Sequence, residues 1–471
     1  MEMAIVVALL AGVLLCFIRG GPAPELVALA AFAALPALGI LALPDVISVF
    51  SSQAPLTIAL MFVMSAALER TGCVAVLGSH VSRLARGSYP RALALLMGAA
   101  MLCSAAMNNT PVVIIMIPLA LSLAASVGVS PGRLLMPLSF AAIFGGSATL
   151  IGASANVLVS DGAAAHGAEP FGMFEMTAPA LVFAAAGWLY MMGPARLLLP
   201  DREPVRPRSA KAAPPPGISA ASRVLPEATD VSGQSIRRSP VAPGPGVSVD
   251  PASSDGSAAG ASPKTAVWGC DGDYRREKAP LAIAIVLGVM LAAAFGLAPI
   301  VVLAGAGAAL AVALGCVTLS QAARAVDWRL IAMIFGMLGL SLGLEKTGAV
   351  ALFADALTGA GGGGSPALAL LLLYASTSVL TAVITNNAVA LMMVPVALAL
   401  AAQLGVDPRA FLMAVMFAAS ASFATPIGYQ TNTIVYRAGG YRFHDFLLVG
   451  LPLNILFGAV ATLILPLFFP F

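Results

Sequence analysis

Two asparagine-centred triplets sit in the middle of long apolar stretches of this 471-residue chain, Asn108-Asn109-Thr110 and Thr385-Asn386-Asn387. Two further polar breaks follow them: Gly145-Gly146-Ser147-Ala148-Thr149, on to Asn156, and Ser420-Ala421-Ser422-Phe423-Ala424-Thr425-Pro426, on to Asn432. Gly, Ser, Thr and Pro in an apolar span unwind a helix locally and free its carbonyls and amides. Carbonyl, hydroxyl and carboxamide oxygens suit a hard cation such as Na⁺, while helix N-termini and amide donors suit an anion. No Asp or Glu lies in either triplet stretch or either break. A membrane proton carrier usually places a carboxylate there. The expected chemistry is therefore joint binding of Na⁺ and a small anion, the cation offsetting part of the anion's desolvation cost.

These segments are one plan written twice. Leu68-Glu69-Arg70-Thr71-Gly72 returns as Leu344-Glu345-Lys346-Thr347-Gly348, an offset of 276 (344 minus 68). The first triplet, followed by Pro118, returns as the second, followed by Pro395, at 277 (395 minus 118). Thr149-Leu150-Ile151-Gly152 with Asn156 returns as Thr425-Pro426-Ile427-Gly428 with Asn432, again at 276 (425 minus 149). In a membrane chain such a duplication points to a transporter whose site lies between the halves.

The elements that must position these residues are membrane helices. The chain is 60% apolar and 10% charged, with mean hydropathy +0.97, against roughly 25% charged residues in a soluble domain. Candidate spans are 3–18, 25–43, 55–70, 134–160 and 176–199, then 281–296, 298–317, 329–346, 410–436 and 446–469. The first, apolar without a basic start, reads as a membrane helix rather than a cleaved leader. The stretches 92–125 and 366–401 are each interrupted by a triplet, leaving limbs of about 15–18 residues. Asparagine in mid-bilayer is costly against lipid, so each stretch is expected to be a re-entrant hairpin whose tip lines an enclosed cavity.

Charge placement sets the topology. With the N-terminus outside, Arg19, Arg70, Arg83, Arg86, Arg91, Arg133 and Arg196 fall inside, while Asp45, Asp161, Glu169 and Glu175 fall outside. In the second half Arg324, Arg329, Arg437 and Arg442 fall inside, and Lys346 and Arg409 outside. The fold class expected is an all-α polytopic membrane protein with two inverted-topology repeats, about ten transmembrane helices plus two re-entrant helical hairpins. The domains are 1–200, with hairpin 92–125; a disordered cytoplasmic linker at 201–279, rich in Pro, Ser, Ala and Gly; and 280–471, with hairpin 366–401. Glycines 361–364 read as a flexible outer turn.

Other residues have plainer roles. Glu69 and Glu345, beside Arg70 and Lys346, read as interfacial ion pairs and helix caps, and His166 and His444 as solvated. The five cysteines are scattered and form no Cys-x-x-Cys pair, so they read as inert. Three histidines without a cysteine or carboxylate cluster argue against a zinc or iron site. The spread of basic residues gives no nucleic-acid patch. No nucleophile–base pair lies in the spans, which argues against an enzyme, and no Gly-x-x-x-x-Gly-Lys motif is present to drive a primary pump.

The motifs Met107-Asn-Asn-Thr-Pro-Val-Val, Gly145-Gly-Ser-Ala-Thr-Leu-Ile-Gly, Thr385-Asn-Asn-Ala and Ala424-Thr-Pro-Ile-Gly-Tyr-Gln-Thr-Asn432 resemble the divalent anion:sodium symporter family. These carriers of di- and tricarboxylates (succinate and citrate among them) and sulfate belong to the ion transporter superfamily. The resemblance spans both membrane halves. It implies Na⁺-coupled anion uptake across the cell (inner) membrane by a homodimer, one hairpin domain per protomer moving against a fixed scaffold like an elevator. It places substrate contacts on Asn108, Asn109, Thr110, Thr385, Asn386, Asn387, Thr425 and Pro426. It places Na⁺ ligands on Ser104, Asn109, Gly145, Gly146, Thr149, Thr381, Asn386, Ser422 and Ala424. The family's triplet is Ser-Asn-Thr. Here Asn108 and Thr385 replace Ser, and Asn387 replaces Thr, so wider amides narrow the site and raise sulfate or another compact oxyanion as substrate. The related branch carries regulatory domains between its halves, where this chain has only the linker. The alternative is an anion exchanger, or a proton-coupled or oxyanion (arsenite) carrier, of the same superfamily.

Overall fold

The computed structural model describes residues 2–19, 23–85, 87–201, 275–360 and 364–471. The expected disordered linker lies outside the described residues apart from its two ends, as do three of the four glycines of the 361–364 turn. The described residues are helical throughout, without strands. The first half runs α1 (Glu2–Arg19), α2 (Pro24–Ala37), α3 (Leu43–Phe50), α4 (Gln53–Arg70), α5 (Cys73–Leu84), α6 (Tyr89–Ala106), α7 (Asn109–Val127), α8 (Gly132–Gly146), α9 (Ser154–Ala165), α10 (Thr177–Met192) and α11 (Ala195–Leu198). The second runs α12 (Ala279–Ala294), α13 (Ile300–Ala313), α14 (Leu319–Ala325), α15 (Trp328–Lys346), α16 (Ala349–Ala360), α17 (Pro366–Thr381), α18 (Asn386–Leu404), α19 (Arg409–Ser420), α20 (Gln430–Gly439) and α21 (Phe443–Phe468).

Apart from the short α11, long and short helices follow one another in the same order twice. Seven helical stretches are long and apolar enough to cross a membrane, and shorter apolar helices of 10–17 residues accompany them. Many large apolar side chains face outward, among them Leu189, Leu287 and Leu463, as lipid contact requires of a polytopic membrane protein. The limbs before the triplets, 18 residues in α6 and 16 in α17, fall in the expected range, and those after them, 19 residues in both α7 and α18, are slightly longer.

The repeated Leu-Glu-Arg/Lys-Thr-Gly motif is a helix stop. The Thr71 hydroxyl donates to the Ala67 carbonyl at 2.9 Å, and the Thr347 hydroxyl to Gly343 at 2.8 Å. Gly72 and Gly348 then turn the chain at φ 74° and 78°, a left-handed conformation that favours glycine after a helix C-terminus. Four helices escaped the sequence reading: α3, α5, α14 and α16. They are short and amphipathic or capped rather than uniformly apolar. The Thr318–Gln321 capping box, for instance, starts α14.

The centre of the molecule is built on α8, α18 and α19, whose residues are buried almost throughout. Helices α6 and α7 pack on α8, α17 and α18 on α19, and α9 lies against α18 while α20 lies against α7. A second group joins α2 to α15 and α4 to α13. The triplets and breaks fall within the first group.

Of the ion pairs between described residues, Lys346–Asp45 and Arg409–Glu175 each join two groups that the charge argument expects on the same side. Arg133 meets Asp201 at 3.4 Å, and Arg329 meets Glu25 at 3.8 Å. Lys346 meets Asp45 at 2.5 Å, His166 meets Glu345 at 2.9 Å, and Arg409 meets Glu175 at 2.6 Å. One expectation changes here. Glu345 pairs with His166 rather than with Lys346, and His166 stays an exposed residue while making that contact. Glu69 forms no ion pair with a described residue. Consecutive helical residues point about 100° apart, so neither Glu345 and Lys346 nor Glu69 and Arg70 face each other.

Candidate functional site

Both triplets start a helix. Met107 is extended (φ −137°, ψ 159°), and Asn108 is the N-cap of α7, its side chain accepting from the Thr110 N–H at 3.4 Å. Thr385 caps α18 with the same extended backbone but no side-chain cap, its hydroxyl instead lying 3.5 Å from Met333 Sδ. Each triplet therefore stands at the positive dipole end of a 19-residue helix, where the first N–H groups have no intrahelical partner.

In the first half the tip folds onto the break after it. Ser104, in the last turn of α6, donates to Asn109 Oδ1, and Asn109 Nδ2 donates to the Tyr429 hydroxyl at 2.5 Å. Gly146 lies against the Asn109 carboxamide and Gly145 against the Met101 backbone, so closely that a Cβ at either would overlap its neighbour. The Thr149 hydroxyl donates to the Ala105 carbonyl at 2.6 Å. Asn156 Nδ2 closes the loop, donating to the carbonyls of Thr149 at 2.8 Å and Gly146 at 3.2 Å. The structure thus gathers Ser104, Asn109, Gly145, Gly146 and Thr149 within one small polar nest.

The second half repeats the threonine and asparagine bonds of the break, but not those of the triplet asparagine. Thr381 donates to the Ala419 carbonyl at 2.8 Å, and the Ser422 hydroxyl to the Thr381 carbonyl at 3.1 Å. Thr425 donates to the Ala382 carbonyl at 2.6 Å, as Thr149 does to Ala105. Asn432 Nδ2 donates to Ser422 at 2.6 Å and Thr425 at 3.2 Å. Gly428 packs against the Thr381 carbonyl and the Ser422 hydroxyl, and Ala424 is buried against Gly450 of α21. The Pro426 carbonyl accepts from the Thr433 hydroxyl at 2.7 Å. Phe423 anchors the break, its ring centroid 5.0 Å from Phe140, 5.2 Å from Phe457 and 5.5 Å from Phe144.

Each tip also reaches across to the other half. Thr110 donates to Gln430 Oε1 at 3.0 Å, and Ser154 donates to Asn387 Oδ1 at 2.7 Å. These two ties are equivalent under the repeat, with a short and a long side chain exchanged between partners. Sequence reasoning missed Tyr429, Gln430 and Ser154. The 276 offset maps Ser154 onto Gln430 and would have flagged both.

The two central asparagines differ. Asn109 is 1% exposed and bonded at both ends of its carboxamide. Asn386 is 9% exposed, and its side chain hydrogen-bonds to no described residue. A cavity of about 500 Å³ between α3, α9, α15 and α18 runs from His166 and Glu345 to Ser341 and Leu391, one turn from Asn387. Ser52 donates to Asp161 at 2.7 Å in its wall. The Glu345 carboxylate, accepting from His166, holds the imidazole's pKa above its ordinary value. Taken together, this is a buried nest of neutral oxygens, amides and helix N-termini, with no carboxylate among the described residues of the triplets or breaks. Oxygens of this kind suit a hard cation, and amides at helix N-termini suit an anion.

A family model described as citrate transporter matches residues 13–407 and 361–471. The uncharacterized transporter YfbS of Escherichia coli (strain K12) is 27% identical over 100% of both chains. The uncharacterized transporter sll0640 of Synechocystis is 26% identical over 92% of each chain. Sodium/sulfate cotransporter 1 of Chlamydomonas reinhardtii is 35% identical over 34% of this chain and 18% of its own length.

Proposed function

This chain belongs to the citrate transporter family, and on that premise we propose that it is a secondary active transporter coupling Na⁺ entry to uptake of a divalent anion, sulfate or a di- or tricarboxylate. The observation that carries this reading is the Asn386 carboxamide at the N-terminus of α18, 9% exposed and hydrogen-bonded to no described residue. Its donors are free to meet a ligand, and an anion at that helix end would take them up together with the helix N–H groups. Ser104, Asn109, Gly145, Gly146 and Thr149 make one Na⁺ site, and Thr381, Asn386, Ser422 and Ala424 the other. Asn108, Asn109, Thr110, Thr385, Asn386, Asn387, Thr425 and Pro426 surround the anion. The Na⁺ coupling is supported by the name of the partial relative, a sodium/sulfate cotransporter.

In this reading the repeats are inverted, with the N-terminus outside, and the two triplet stretches are hairpins opening to opposite sides. The group holding α6 to α9 and α17 to α20 moves against the group holding α2, α4, α13 and α15, and the protein works as a homodimer in the inner membrane. The cavity beside Asn387 is the outer approach to the site. Uptake of labelled sulfate and labelled succinate into proteoliposomes, under an inward gradient of Na⁺ or of K⁺, tests it. Na⁺-dependent accumulation of either anion is expected. Accumulation that is equal in K⁺, or that needs a counter-anion inside, would replace symport with exchange.

A further inference from the structure

The two halves repeat one another closely enough that a departure from the repeat stands out. Asn109 and Asn386 are equivalent at 277, and Ser104 and Thr381 likewise. Tyr429 has Ala153 as its equivalent at 276. The consequence is one-sided. The Tyr429 hydroxyl accepts from Asn109 Nδ2 at 2.5 Å, and Ser104 donates to Asn109 Oδ1, so the first tip's carboxamide is engaged from within the protein. At the second tip Ala153 has no hydroxyl to offer, and Thr381 donates to Ala419 rather than to Asn386. The Asn386 carboxamide is left open.

A dicarboxylate carries two anionic groups several ångströms apart and needs a donor set for each, one at each tip. In this protein the Tyr429 oxygen already stands where a substrate oxygen would accept from Asn109. The ring, 6% exposed, also shields that amide. One open tip suits a single compact anionic centre. Resting on the transport reading above, we infer that Tyr429 is a positioning residue for substrate choice: by holding the Asn109 carboxamide it restricts the carrier to compact tetrahedral dianions of the sulfate type and disfavours dicarboxylates. Asn387, tied to Ser154, reinforces the restriction, because its carboxamide oxygen is likewise committed to the protein.

The test is Tyr429→Phe in the full chain, reconstituted beside wild type. Phenylalanine keeps the ring and removes only the acceptor. Labelled sulfate and labelled succinate are compared under the same Na⁺ gradient. Wild type should prefer sulfate, and the variant should shift the succinate-to-sulfate ratio of kcat/KM toward succinate by roughly tenfold, the net worth of about one hydrogen bond. A general structural defect would lower both rates and leave the ratio alone. An unchanged ratio in a transporting variant, or a wild type that prefers succinate, overturns the assignment and leaves Na⁺-coupled transport standing. A folded wild type that accumulates neither anion overturns the transport reading itself. Should the variant not fold, the wild type alone decides. A Na⁺-dependent rise in unfolding temperature with sulfate but not with equimolar succinate supports the assignment, and equal protection by both overturns it.

Discussion

Asn156 and Asn432 close their loops with the same two bonds: each donates to the carbonyls ten and seven residues before it, 276 residues apart in the chain. Neither carboxamide needs to touch a ligand to matter, because each holds a break in the shape that faces the triplets. Asn156→Ala and Asn432→Ala should each lower stability by about 1–3 kcal/mol, the cost of leaving buried carbonyls without donors, and should slow transport of every substrate alike. Thermal unfolding in detergent and uptake of two anions check this. Intact stability in both variants would remove the role.

Asn109 and Asn386 should separate folding from transport. Asn386→Ala removes a side chain with no described partner, so uptake should be lost while the unfolding temperature stays near wild type. Asn109→Ala abandons the Ser104 and Tyr429 hydroxyls, so it should lose uptake and about 1–3 kcal/mol of stability together. Wild-type uptake by both variants would remove the site from the triplets.

Glycine packing gives a sharper contrast. Gly428→Ala drives a methyl into the Thr381 carbonyl and the Ser422 hydroxyl, and should cost about 1–3 kcal/mol as overpacking. Gly98→Ala, inside α6 with nothing within 4 Å, should be neutral or stabilising by up to about 1 kcal/mol. Parallel melting curves decide between them, and equal effects would contradict the packing described.

The His166–Glu345 contact carries a pH signature. The imidazole's pKa is raised, chiefly by the hydrogen bond to Glu345. A group with a raised folded-state pKa stabilises the fold fully below its unfolded pKa of about 6.5 and loses that contribution as pH rises through the folded value. Stability should therefore fall as pH climbs above about 6.5, and His166→Gln should flatten that slope. Melting temperatures measured from pH 6 to 8.5 would show it, and an unchanged slope in the variant would contradict it.

Much of this was legible in the sequence. The triplets, the breaks and the offset marked the segments that meet around Asn109 and across the halves, because polar residues stand out in apolar runs. Hydropathy could not see α3, α5, α14 and α16, whose faces alternate between core and water. It could not see Tyr429 either, since a tyrosine in an apolar span usually signals packing, and its bond to Asn109 joins residues 320 apart. Glu345 beside Lys346 reads as a pair in sequence for a related reason: adjacency in the chain suggests a contact that the helix turn prevents, and Glu345 meets His166 instead.

The ties between the halves have a consequence for how the protein is made. Asn109 and Thr110 leave the ribosome 320 residues before Tyr429 and Gln430, which complete their bonds. Ser154 likewise precedes Asn387 by 233. The first half must therefore enter the bilayer with its polar tip unfinished, and stay so until α20 arrives. The interval in which the nascent chain most needs shelter is set by that order of synthesis, and substitutions at Tyr429 or Gln430 should lengthen it.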